Sequence, residues 1–138
     1  MDKDQITNNR NRVVFTYKNS AQKIKEVDEN VLRVEIHYEM DFKTRVCSTE
    51  PLIETDVLMP DDKLFWYHPC LNKDCTGSGF YLTDELQDAI KSHKIAKGAK
   101  YCDGKEDWKY YSKPTGGCSC RTTLRYEIKP FLVESYNI

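Results

Sequence analysis

The chain predicts an α+β fold: an antiparallel sheet, one main helix and a cysteine-rich C-terminal portion. Three observations carry that expectation. In residues 31–40, Val34, Ile36, Tyr38 and Met40 alternate with Arg33, Glu35, His37 and Glu39, the period of a strand with one buried face. Further on, Leu86, Ala89, Ile90 and His93 fall at i, i+3, i+4 and i+7, one face of a helix. Finally, Cys70, Cys75, Cys102, Cys118 and Cys120 crowd between residues 70 and 120, each beside turn-making residues.

The remaining elements follow in order. Residues 1–12 are polar and predict a flexible N-terminus. Val13 to Tyr17 is β-branched and aromatic and reads as a strand. Ser20 is placed to cap a short helix carrying Ile24 and Val27, with a strand as the alternative. A tight turn at 41–43 predicts a returning strand over 44–48. Another strand is expected over 54–59, stopped by Pro60-Asp61-Asp62. Leu64 to Tyr67 resumes as an aromatic strand running into Pro69-Cys70.

Thr83 is the expected N-cap of the main helix, Asp84 and Glu85 complement its positive end, and Gly98 is its expected stop. Residues 103–117 read as loop. The last strand spans 122–129, with Leu124, Tyr126 and Ile128 inward, and Pro130 ends it or demotes it to an edge. Phe131 to Val133 are expected to dock on the core. Residues 13–138 thus form one domain, with its metal-bearing portion at about 64–129.

Net charge is only −1, which excludes a strong global pull on nucleic acid or anionic membrane. The charge is nevertheless lopsided. Residues 1–90 carry 11 Lys+Arg against 17 Asp+Glu, and residues 91–129 carry 10 against 4. A solvated surface is the simpler reading, and a basic face on the cysteine-rich half is the sharper one. The first twelve residues have no apolar secretory core, and no run approaches the roughly 18 apolar residues of a membrane span. A cytoplasmic address with reduced thiols follows as the expectation.

The cysteines then point to a metal. Cys70 and Cys75 stand in C-x4-C spacing, so the chain can fold back and offer both sulfurs to one ion. Gly77 and Gly79 follow them, and glycine lets backbone N–H groups turn toward thiolates. Cys102 precedes Gly104, and Cys118 and Cys120 follow Gly116-Gly117. Four thiolates at about 2.3 Å close a tetrahedral zinc site, so the expected ligands are Cys70, Cys75, Cys102 and Cys120. Cys120 is preferred for its nearness to a strand, and Cys118 is the rival fourth ligand. His68 could replace one thiolate.

The compact spacing of iron–sulfur proteins is missing, and a disulfide framework lacks an oxidising compartment. A closed all-cysteine shell leaves no position for water, so the zinc is expected to be structural. No catalytic residue is assigned. Cys47 stands alone, His37 points outward, and His93 is expected to pack on the helix face.

A thiol turn, a long excursion, a second thiol turn and flanking strands over about 64–129 resemble the zinc-ribbon group. That resemblance implies a module that docks protein or nucleic acid. The leading expectation is a zinc-containing, non-enzymatic binding or adaptor protein whose partner is a protein. One alternative is single-stranded nucleic-acid binding through the basic segment 91–129 and aromatics such as Trp108 and Tyr110. The other is a thiol-redox or metal-handling protein using Cys118 and Cys120.

Overall fold

A computed structural model describes residues 3–41, 50–71, 79–102 and 122–133. It is an α+β arrangement built on a four-stranded antiparallel sheet in the order β2-β1-β6-β5. The strands are β1 (Val31–Asp41), β2 (Leu52–Leu58), β5 (Ala96–Tyr101) and β6 (Thr123–Leu132). A second, two-stranded sheet pairs β3 (Tyr67–Pro69) with β4 (Gly79–Tyr81). The helices are α1 (Lys3–Ser20), α2 (Ile24–Val27) and α3 (Thr83–Ser92).

The alternation in β1 does what the sequence implies. Val34, Ile36, Tyr38 and Met40 are buried and their neighbours are not. Leu32 breaks the pattern because the register with β6 shifts between Val31 and Arg33, a bulge that turns it outward. β6 lays Leu124 and Ile128 beside the β1 residues, and α3 covers this face with Leu86, Ala89 and Ile90. Pro130 is tolerated because pairing with β5 ends at Ile128, so from there β6 has an open side.

Several expectations are corrected. Val13 to Tyr17 is not a strand: the backbone is helical from Lys3 to Ser20. Val, Phe and Tyr lose only a few tenths of a kcal/mol each in a helix, so neighbouring helical turns can carry them. Val13, Phe15 and Tyr17 are all exposed, which removes the burial that would favour a sheet. The aromatic strand begins at Tyr67 rather than Leu64, since the Leu64 and Phe65 amides bond to Gln22 and Lys63 in a loop. The strand expected over 44–48 lies outside the described residues, as does the loop at 103–117.

The helix ends also differ. Leu82, not Thr83, is the N-cap of α3, and it makes no side-chain cap. The Thr83 hydroxyl instead accepts the Trp66 N–H at 3.2 Å, tying the helix start to the preceding loop. Termination comes at His93, which adopts the left-handed conformation (φ 56°) normally taken by glycine. Its ring, freed from the helix face, pairs with Asp28 at the end of α2. Gly98 lies within β5, opposite Tyr126, and the Tyr126 ring lies against it.

Two predictions follow from this packing. A Cβ at Gly98 would sit 2.5 Å from the Tyr126 hydroxyl oxygen and 2.8 Å from Cζ. Replacing a strand glycine normally gains about 0.5–1 kcal/mol, but overpacking costs about 1–3 kcal/mol, so the clash decides the sign. Gly98→Ala should lower the urea midpoint, and the loss should shrink in a Tyr126→Ala background.

Burial pushes the Asp28 carboxyl up, but the His93 hydrogen bond, the Asn30 amide and the His93 charge outweigh it and hold it below 3.8. A carboxylate depressed by folding contributes stability above its unfolded value and loses it as pH falls through the folded one. The clamp should therefore weaken below about pH 4. The difference in urea midpoint between wild type and Asp28→Asn should be larger at pH 5 than at pH 3 and fade toward pH 2.

Candidate metal centre

The strand order brings two of the predicted ligands to one place. Tyr101, the last residue of β5, pairs with Thr123 of β6. One step further, the Cys102 amide donates to the Thr122 carbonyl at 3.0 Å. Cys70 follows directly on β3, and its thiol donates to Thr122 Oγ1 at 3.2 Å. Thr122 is fully buried and is the one buried polar or charged residue among the described residues. Cys102 is buried in the core cluster, and Cys70 packs half-buried against it.

Cys70, through its thiol, and Cys102, through its backbone amide, thus both contact one threonine, although 31 residues separate them in sequence. Cys75, Cys118 and Cys120 lie outside the described residues, as do Cys47, Trp108 and Tyr110. Among the described residues, no group of three or more His, Cys, Asp or Glu side chains is placed to hold a metal ion. His68 turns Nδ1 toward the Pro69 carbonyl at 2.8 Å, and its ring packs 5.7 Å from Tyr38 and 6.1 Å from Trp66.

A second polar cluster adjoins this ring stack. The Tyr38 hydroxyl donates to Glu54 Oε2 at 3.0 Å, and the Trp66 indole N–H donates to Asp56 Oδ2 at 2.8 Å. Tyr38 and Trp66 are both buried and meet edge to face at 5.1 Å. Burial, the Glu54 hydrogen bond and the charges of Asp56 and Glu54 all push the Tyr38 phenol far up. It therefore remains an O–H donor, and the two carboxylates serve as acceptors that satisfy buried aromatic donors.

The charged residues of the sheet's other face are largely occupied with one another. Glu35 takes Arg33 at 3.1 Å and His37 at 3.1 Å, while Thr55 closes on the other His37 nitrogen at 2.9 Å. Arg33 also stacks 4.1 Å from the centre of the Phe131 ring. Glu127 binds both Lys97 and Lys129, whose hydrogen bonds hold its carboxyl below the ordinary value. On the opposite, helix-covered face, Lys100 pairs with Glu85 of α3 at 2.7 Å. The lysines expected to form a basic face are thus, for these three, paired with carboxylates. No helix among the described residues is long and apolar enough to cross a membrane.

No protein-family model, no curated protein and no solved structure matches this chain.

Sequence reasoning did not single out Thr122, Glu54 or Asp56. The available signal for Thr122 was its place two residues after Cys120, at the mouth of a β-prone run. For Glu54 and Asp56 it was their shared parity in a strand beside the alternating residues of β1. Thr122→Val keeps the volume and deletes the hydroxyl. It should cost about 1 kcal/mol of stability in urea denaturation, and Thr122→Ser should recover most of the loss.

Proposed function

We propose that this chain is a zinc-containing, non-enzymatic binding or adaptor protein whose single ion is structural. The ligands are Cys70, Cys75, Cys102 and Cys120, with Cys118 the rival for the fourth place. The observation that carries this reading is that the Cys70 thiol and the Cys102 amide both contact buried Thr122, which brings these two cysteines to one end of the sheet. Chain geometry adds to it. Cys120 is two residues from Thr122, so their Cα atoms lie within about 7 Å whatever the conformation between them. Cys75 is five residues from Cys70, a reach of at most about 18 Å.

The donors suit the ion. A thiol must lose its proton to bind zinc, and a buried hydroxyl can turn its own proton toward the resulting thiolate. Thr122 Oγ1 stands where it can do this for Cys70. Bound zinc would supply a cross-link between segments distant in sequence, and its binding energy would add to folding energy. A shell of four thiolates has no open position for a reacting water, which favours a structural role. The pairing of Lys97, Lys100 and Lys129 with carboxylates favours a protein partner over nucleic acid. The reading also places the chain in the cytoplasm, where thiols stay reduced.

Elemental analysis of protein purified without added metal should give about one zinc per chain. Cys70→Ser and Cys102→Ser should each lower that content sharply, while Cys47→Ser should leave it intact. A strong chelator should lower the urea midpoint and change the far-UV circular dichroism. Protein that carries no metal and is indifferent to the chelator would overturn the reading.

A further inference from the structure

A cavity of about 380 Å³ opens beside the start of α3, lined by Tyr17, Ala21, Phe65, Tyr81, Thr83, Asp84 and Lys100. Its size falls in the range of small-ligand sites. Neither of the described cysteines, Cys70 and Cys102, contributes to it.

The walls have a specific geometry. Phe65 and Tyr81 stand nearly perpendicular, with centroids 6.1 Å apart and planes at 81°. Tyr67 backs Tyr81 at 4.7 Å and steadies its position. Tyr17 of α1 supplies a third ring. Rings at right angles make a corner. A flat ligand can stack on one wall of a corner at a time, whereas a compact cation can face several π-surfaces together.

The charges agree. Lys100 is held by the Tyr81 carbonyl at 2.8 Å and by Glu85 at 2.7 Å, so its charge is matched by a carboxylate. Asp84 adds a second, solvent-exposed carboxylate at the rim. Among the described residues, counting Glu85 with Asp84 and Lys100 leaves one net negative charge.

We propose that this pocket binds an alkylammonium group, with Phe65, Tyr81 and Tyr17 facing the cation and Asp84 neutralising it. The same chemistry is offered by a methylated lysine on a protein segment and by a free quaternary amine. The site goes beyond the zinc reading and does not depend on it.

The test uses the full chain as purified. Amide NMR shifts of Tyr81 to Asp84 are followed while tetramethylammonium chloride is added, with sodium chloride at matched ionic strength as reference. Saturable shifts are expected, and tert-butanol, which has the shape without the charge, should leave these amides unmoved. Tyr81→Leu and Asp84→Asn should each weaken binding by roughly tenfold. Asp84 is exposed, so its variant tests the site without threatening the fold.

A peptide carrying trimethyllysine separates the two sources. Binding at least about tenfold tighter than the free ion assigns the site to a protein segment, and equal binding assigns it to small quaternary amines. Failure of tetramethylammonium and the peptide to give saturable shifts, or equal response to tert-butanol or adenosine, would overturn the proposal. Saturable shifts from protein that is purified without zinc would count against the metal reading alone.

Discussion

The ladder between β1 and β6 is the constraint on which the rest of the molecule depends. It joins residues 31–41 to residues 123–132 in antiparallel register, so it closes most of the chain into one loop. Such a contact costs loop-closure entropy first and returns buried area afterwards. The return is concentrated on one face, where Val34, Ile36, Met40, Leu124 and Ile128 are buried together under α3. β2 and β5 flank the two outer sides of this central pair.

That pairing also gives the lopsided charge a physical meaning. β1 comes from the acidic part of the sequence and β6 from the basic part. In their register Glu35 faces Lys129, and Glu39 faces Arg125. Opposite charges in directly facing positions stabilise a sheet by about 0.2–1 kcal/mol, and like charges there destabilise it. The imbalance between the two halves therefore helps specify how the chain pairs with itself. A one-residue slip would misalign these pairs and turn Val34, Ile36 and Met40 to the wet face.

The parts of the fold that were legible share one property: their side chains repeat with the period of the element. β1 and β6 alternate, and Leu86, Ala89 and Ile90 follow the helical period. The parts that were not legible are decided by neighbours. β5 (Ala-Lys-Gly-Ala-Lys-Tyr) has weak strand propensity, and Gly98 is useful there because the Tyr126 ring occupies the space of a side chain. The cap role given to Thr83 failed because the Trp66 amide takes its hydroxyl. His93 fitted the helical period yet leaves the helix, since a left-handed turn and Asp28 claim it. At the candidate site, the spacing of Cys70 and Cys102 revealed two thiols beside turns, but not the buried threonine between them. That contact is set by where β3 and β6 end.

Entropy alone does not require a metal here. The connection from Cys102 to Thr122 passes through 19 residues, far longer than the usual hairpin loop of 2–5 residues. Yet each doubling of loop length costs only about 0.6 kcal/mol, so going from five to twenty residues costs about 1.2 kcal/mol. The two strands it joins already pair over six residues, and they can absorb a cost of that size. The case for zinc rests instead on chemistry. A hydrophobic core would fill the end of this sheet more simply with aliphatic side chains. Here it holds a buried hydroxyl that takes the Cys70 thiol, with Cys102 bonded through its amide to the same threonine's carbonyl, and a buried polar group is costly unless its partners are fixed. The proposed donor set joins Cys70 and Cys102, both in contact with this threonine, to further cysteines a few residues along the chain, and thiolates are the ligand type that suits a soft or borderline cation.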